Sequence, residues 1–406
     1  MSRSRDTLEV RYTPSGPSSR RVGWLALDRG RPVFEFAEDW LTTPLPLSPV
    51  KFVPRRGLLS GDPRMPYGLP GVFADSLPDA WGERLADRYF LSRGRALDDV
   101  SVLDRLTLVG TSGMGALTYH PSEERTAHPA PLDLDALNHE ATRVLQGSAS
   151  DLLPQLIETA GSSGGARPKL LVSLDAHDQL RTDDGSFQDG FTPWIVKLRY
   201  TQDGPDAAAV EFAYHQLARH AGIRVPAARL LTTPSDRFFA VERFDRSAGT
   251  RIHMLSLSGL LDLPQSYFAA EYGEVGRLIA SLCESYAETT EFARRMVFSV
   301  LAHNRDDHLK NTALLMNADG TWRLAPAYDL TFMRGPGGEH SMLVAGEGRH
   351  LTHAHLLRAG ETMGLEPAVM RRIIDEVRTA LGHWTEIADA VGILSARRDE
   401  IRHAWQ

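Results

Sequence analysis

An aspartate and an asparagine stand five positions apart in the segment His303-Asn304-Arg305-Asp306-Asp307-His308-Leu309-Lys310-Asn311. Phosphoryl transfer needs a carboxylate that orients an attacking hydroxyl and takes its proton, and hard oxygen ligands for a magnesium ion. Asp306 and Asn311 can supply both. Further along, Ala325-Pro326-Ala327-Tyr328-Asp329-Leu330 places a carboxylate after a short apolar strand, where a second Mg²⁺ ligand would lie. Each motif is weak alone, since an Asp and an Asn at this spacing are common by chance. Their order makes the pair more specific.

Three upstream features fit the other half of such a site. In Gly161-Ser162-Ser163-Gly164-Gly165-Ala166-Arg167-Pro168-Lys169, small residues let backbone N–H groups approach phosphate oxygens closely. Lys197 sits inside the apolar stretch Trp194-Ile195-Val196-Lys197-Leu198, from which its ammonium could hold α- and β-phosphates. Glu211, on the helix expected next, could pair with it. The stretch Phe238 to Phe244 then stands where a hinge packs against adenine.

Every one of these residues also has an ordinary reading. A glycine-serine stretch is commonly a plain loop, and a lone strand lysine usually faces water. Asp306, Asp307 and His308 could cap a helix. Asp329 could simply end a strand, and Phe244 could be core. The order of glycine loop, strand Lys, helix Glu, hinge, Asp/Asn pair and final Asp favours the chemical reading.

The elements that must position these residues follow from periodicity. Val22 to Phe36 alternates around Asp28-Arg29-Gly30-Arg31 and predicts a hairpin. Pro44 to Pro70 reads as loop. Leu77, Trp81, Leu85, Tyr89 and Phe90 recur at helical spacing, with Pro78 placed in the first turn. Leu108 to Tyr119 reads as a glycine-rich short-strand segment, and Pro121 to Pro131 as a boundary. Helices are expected over 134–145 and 207–220, the latter ending at Gly222. Two strands are expected within 230–244. Strands dominate before about residue 245 and helices after about 274, apart from the segment 304–337.

Bulk properties set the limits. The chain has 406 residues, 42% hydrophobic and 24% charged, which suits a soluble globular protein of two or three lobes. A net charge of -7 argues against wholesale electrostatic binding of nucleic acid. Cys283 is the only cysteine, so a disulfide within the chain and a multi-cysteine zinc site are excluded. A polar N-terminal stretch and the lack of any long apolar run predict a cytoplasmic protein with no membrane partner.

Along nearly its whole length the sequence resembles the HipA family of bacterial toxin–antitoxin kinases. The resemblance rests on Phe73 to Asp79, Val109 to Leu117, Gly164 to Lys169, Val241-Glu242-Arg243-Phe244-Asp245-Arg246, Asn304 to Asn311 and Ala325 to Leu330. It implies an α+β, two-lobed protein kinase: a small N-terminal module over 1–120, a strand-rich lobe over 134–245 and a mostly helical lobe over 246–406. It further implies Asp306 as catalytic base, with Asn311 and Asp329 as Mg²⁺ ligands. The ATP contacts it implies are Ser162, Ser163, Gly164, Gly165, Ala166, Lys197, His308 and the backbone of Glu242 and Phe244. In that family a glycine-loop serine is autophosphorylated, which points to Ser162 or Ser163. The implied partners are a translation-related protein substrate, such as an aminoacyl-tRNA synthetase, and a small helix-turn-helix antitoxin. No helix-turn-helix is evident in this chain, so autonomous DNA binding is not expected.

Three rival readings stand beside this one. A metal-dependent phosphohydrolase would use His303, Asp307 and His308 with further ligands such as His253, His340 or His353. A kinase-shaped scaffold would dispense with chemistry, although Lys197, Asp306, Asn311 and Asp329 are all present. A small-molecule kinase would share the catalytic spacing but not the Val241–Arg246 motif.

Overall fold

The computed structural model describes residues 6–15, 18–122, 131–148, 152–159, 167–183, 190–200, 202–267 and 269–405. The protein is α+β. Its chain forms two compact units, one comprising 1–202 with 231–264 and the other 203–230 with 265–406.

The first unit begins with strands β1 (Thr7–Tyr12), β2 (Arg20–Asp28), β3 (Arg31–Phe36) and β4 (Leu117–His120), in the sheet order β3-β2-β1-β4. The β2–β3 hairpin appears where alternation predicts it. Arg29 and Gly30 both take positive φ, as a tight two-residue hairpin turn requires. Phe34, Phe36, Phe52 and Phe73 stack at tilted and edge angles in the core below this sheet.

The helix expected from Leu77 starts later, at Ala80, and runs to Ser92. Asp79 caps it by accepting a hydrogen bond from the Gly82 amide, so Pro78 precedes the cap instead of entering the first turn. A helix over Val102–Val109, closed at its start by a Ser101/Asp104 capping box, precedes the expected short strand.

A second sheet carries β5 (Lys169–Leu174), β6 (Leu180–Thr182), β7 (Thr192–Lys197), β8 (Ala228–Thr232) and β9 (Arg237–Glu242), in the order β6-β5-β7-β9-β8. One face packs Leu170, Val172, Trp194, Val196, Phe238 and Ala240 against Leu137, Ala141 and Leu156 of the helices Leu134–Leu145 and Leu153–Thr159. The expected ends of the helix at 134–145 match those observed.

The second unit is mostly helical. The helix Ala207–His220 ends as its glycine predicts, with Gly222 at φ +74. The helix Tyr286–Leu301, capped by Ser285, leads directly into the Asp306 segment. Its exit is fixed because the Ala302 carbonyl accepts from the Tyr214 hydroxyl at 2.6 Å and from the Trp405 indole at 2.9 Å. A hairpin of Ala313–Met316 and Trp322–Leu324 interrupts the helices. Among the described residues no helix is long and apolar enough to cross a membrane.

Candidate functional site

In the helical unit, the segment 303–311 is built to present one carboxylate and bury its neighbour. Asp306 keeps 46% of its side-chain surface. Asp307 is buried and accepts from the Tyr272 hydroxyl at 2.9 Å, the Ser341 amide at 2.8 Å and His340 Nδ1 at 2.8 Å. Burial pushes the Tyr272 phenol well up, and Asp307 beside it pushes further, so the hydroxyl keeps its proton and donates. The phosphohydrolase reading needed Asp307 as a ligand. Its oxygens instead hold the fold together, and one of its donors is His340, one of the further ligands that reading could draw on.

Asn311 donates its amide N–H to the Asp306 carbonyl at 2.7 Å. That bond orients the amide and leaves its oxygen as the atom available to a cation. The Asp329 segment is tied to the same loop at three points. The Tyr328 hydroxyl donates to the Lys310 carbonyl at 2.7 Å, the Met333 amide to the His303 carbonyl at 3.0 Å, and the Thr331 amide to Asn304 Oδ1 at 3.5 Å. Asp329 itself takes φ +73 and His303 φ +51. Left-handed non-glycine residues cost free energy and persist where surrounding contacts enforce them, as at functional sites.

His308 is buried, with Nε2 at 2.8 Å from the Gln265 amide nitrogen and 3.8 Å from Asp306 Oδ1. Its Nδ1 is buried and has no hydrogen-bond partner among the described residues. Burial, with Arg305 alongside, pushes the His303 imidazole down to about 4, so it is neutral near pH 7. Asn311 and Asp329 bear the hard oxygen donors that Mg²⁺ prefers, and hydrogen bonds tie together the two segments that carry them. These residue types therefore suit a magnesium ion.

The sheet of the other unit carries the remaining candidates. Lys197 stands directly opposite Phe239, and Ile195 opposite Val241. Residues paired in this way share a face, and the alternating neighbours Trp194, Val196, Phe238 and Ala240 fill the helix-packed core. Lys197 therefore lies on the face away from those helices, with its Nζ 5.8 Å from the centre of the Phe239 ring. Glu242 ends β9 opposite Trp194, and Phe244 follows, half-buried. Glu211 is buried on the helix Ala207–His220. Lys169, just after the glycine stretch, places its ammonium 3.1 Å from Asp79, with both groups buried. Its charge thus anchors the start of β5 to the cap of the helix Ala80–Ser92. Ser162, Ser163, Gly164, Gly165 and Ala166 lie outside the described residues.

Tyr272 and Ser341 are supports that sequence reasoning did not name, and His340, Asn304 and Tyr328 act as supports where the sequence offered them only as a possible ligand or as members of a motif. Their partners lie about 18–35 positions away, so no local spacing marks them.

These features define a HipA-like kinase fold. The family model described as HipA-like C-terminal domain matches residues 161–384, and that described as HipA N-terminal domain matches residues 17–120. The chain belongs to the HipA family. A Sinorhizobium fredii protein named "Putative kinase Y4dM" is 29% identical over 282 residues, covering 65% of this chain and 63% of that protein. A similarly named Haemophilus influenzae protein is 25% identical over 184 residues, covering 41% of this chain and 51% of its own length. The chain thus spans less than two thirds of the length of these curated relatives. Among solved structures, the Shewanella oneidensis toxin–antitoxin HipA in complex with HipB and operator DNA aligns with a TM-score of 0.69 at 16% identity. That alignment covers 98% of this chain and 94% of the other, and it shows a shared fold.

Proposed function

We propose that this protein is an ATP- and Mg-dependent serine/threonine protein kinase. The observation that carries the reading is the bond between the Asn311 amide and the Asp306 carbonyl, in a loop tied to the Asp329 segment through Tyr328. It supports the reading because the loop that carries Asp306 and Asn311 is tied to the segment that carries Asp329, and all three side chains bear oxygens suited to a cation or a hydroxyl.

Asn311 and Asp329 would hold Mg²⁺, which when bound neutralises charge on the phosphate oxygens. Asp306 orients the substrate hydroxyl and takes its proton as oxygen attacks the γ-phosphorus. The bond between that phosphorus and the β–γ bridging oxygen breaks, and ADP leaves. Lys197 contacts the α- and β-phosphates, His308 supports the nucleotide, and the backbone of Glu242 and Phe244 meets adenine. The glycine stretch with Ser162 and Ser163 covers the phosphates and takes a phosphate itself as a switch. By analogy with the family, the substrate is a translation-related protein and the partner a small helix-turn-helix antitoxin.

The test is to incubate pure protein with Mg-ATP and map the products by intact and peptide mass, with Asp306→Asn alongside. The expected result is a phosphate on the peptide spanning Ser162 and Ser163, absent from the variant, whose rate falls on the order of 10²–10⁴-fold. Full activity in the variant would overturn the role of Asp306. Nucleotide binding is checked by melting, because ATP at 100 times its Kd adds about 2.7 kcal/mol of stability. No shift with Mg-ATP would overturn the kinase reading.

A further inference from the structure

In the strand-rich unit, three guanidinium groups converge on one backbone oxygen. The Gly113 carbonyl accepts from Arg243 at 3.3 Å, Arg246 at 2.8 Å and Arg251 at 3.2 Å. The same arginines also reach the neighbouring carbonyls of the loop. Arg246 and Arg251 each donate to Gly115 at 3.1 Å, and Arg251 donates to Thr111 at 2.7 Å. Asp245 closes the cluster from the other side. It accepts from the Gly115 amide at 2.7 Å, from Arg246 at 2.6 Å and from Arg243 through two bonds of 3.0 and 2.9 Å. Asp183 adds a second carboxylate, 3.4 Å from Arg243.

Arg243 and Asp245 are both buried, which is unusual for a strand leaving a sheet. Burial alone would raise the Asp245 carboxyl, but Arg243 and Arg246 outweigh it and hold it well below the usual carboxylate range. Three guanidiniums face two carboxylates, so the surplus positive charge is met by loop carbonyls. Burying this much charge is costly unless every group is paired, and such arrangements fix geometry more surely than they add stability.

Between the two buried side chains stands Phe244. The Arg243 amide donates to the Pro193 carbonyl at 2.9 Å, and the Asp245 carbonyl accepts from the Ile252 amide at 2.9 Å. Backbone and side chain are therefore both pinned immediately before and after Phe244. Phe244 itself lies in the turn that follows β9 and is half-buried, between two buried side chains.

We propose that Arg243, Arg246 and Arg251, with Asp245, are positioning residues for recognition of the nucleotide base. By gripping the Thr111–Gly115 loop they hold the backbone at Phe244 at the spacing adenine requires. The N-terminal module is thus part of the base-recognition machinery. This inference rests on the nucleotide-binding reading given above.

The test measures Kd for ATP, GTP and inorganic tripolyphosphate, each with Mg²⁺, for the wild type, Arg246→Lys and Arg251→Lys, with melting curves for all three. Lysine keeps the charge but not the planar fork that serves several carbonyls at once. Arg251, which is partly exposed, is the variant least exposed to a folding failure. The expected result is about a tenfold loss of ATP affinity and a similar loss of the ATP-over-GTP preference, with tripolyphosphate affinity unchanged. A purely structural role would lower the melting temperature and leave base preference where it was. An unchanged preference in Arg251→Lys, or equal weakening of ATP and tripolyphosphate, overturns the proposal. A wild type that binds tripolyphosphate but shows no base preference also overturns it. A wild type that binds neither ligand overturns the nucleotide reading itself, and the clamp falls with it.

Discussion

The segment around Asp307 and the clamp around Gly113 solve one problem in opposite ways. In the first, a single buried carboxylate gathers donors from Tyr272, His340 and Ser341. In the second, a backbone carbonyl gathers three guanidiniums. A side-chain hub is one substitution from removal, whereas a carbonyl cannot be mutated and its three donors share the work. The comparison teaches that the Asp307 hub depends on one removable side chain, while the Gly113 carbonyl is held by three, with Asp245 closing the clamp as a carboxylate hub of its own.

The sharpest way to break the comparison is to remove the side-chain hub. Asp307→Ala leaves a buried hydroxyl, an amide and an imidazole without their acceptor. A loss of about 3–5 kcal/mol is expected, as for other broken buried networks. Asp306→Ala, one residue away and half-exposed, should stay within about 0.5 kcal/mol of the wild type. Urea unfolding of both variants measures the difference. Equal losses would mean that Asp307 is not the hub its contacts describe.

Acid sharpens the comparison next, through one buried histidine in each unit. His253 lies in the strand-rich unit, its Nε2 2.8 Å from the Leu47 carbonyl, and His215 in the helical unit, its Nε2 2.9 Å from the Pro226 carbonyl. Burial pushes both imidazoles down to about 4, against about 6.5 in an unfolded chain. Between those values the unfolded chain binds a proton that the folded chain refuses. Stability from each is therefore full above pH 6.5, declines as the pH falls toward 4, and changes no further below that. At pH 5 each accounts for a loss on the order of 2 kcal/mol, since one pKa unit corresponds to about 1.4 kcal/mol. Melting curves of His253→Gln and His215→Gln across this range should each be flatter than the wild type. A variant curve parallel to the wild type would remove that histidine from the account.

What could be read in advance was what is local. The helices at 134–145 and 207–220 carry their own periodicity and stop signals, and the hairpin at 28–31 its own turn residues. The Asp306–Asn311 spacing is likewise legible within nine residues. The helix Val102–Val109 was missed because the glycines after it drew attention to the strand that follows. Pro78 falls ahead of the helix and not in its first turn because Asp79, the residue after it, is the cap. Asp307 was weighed as a metal ligand because its three donors come from residues 272, 340 and 341, which no window around it contains. The arginine clamp was hidden for the same reason, as the motif at 241–246 is visible but the carbonyls it serves lie about 130 positions upstream.

The helical unit also contains a buried arginine that serves a carbonyl, and it offers the finest test of the comparison. Arg295 lies on the helix Tyr286–Leu301, paired with Glu291 at 2.8 Å, and donates to the Ala325 carbonyl at 2.8 Å. Ala325 opens the segment that ends in Asp329. Leu324, just before it, donates its amide to Glu288 at 3.1 Å, and the Ala327 amide donates to the Arg224 carbonyl at 2.8 Å. Three neighbouring bonds thus fix the approach to Asp329, but only one comes from a guanidinium. Arg295→Lys keeps a charge beside Glu291 and loses the fork that spans carboxylate and carbonyl. We expect a stability loss of about 1 kcal/mol, because the helix and hairpin remain paired around it. The Mg²⁺ concentration giving half-maximal phosphoryl transfer should rise several-fold, with the maximal rate at saturating Mg²⁺ nearly restored. A lower maximal rate at unchanged Mg²⁺ dependence would place Arg295 in general support of the fold and remove it from the positioning of Asp329.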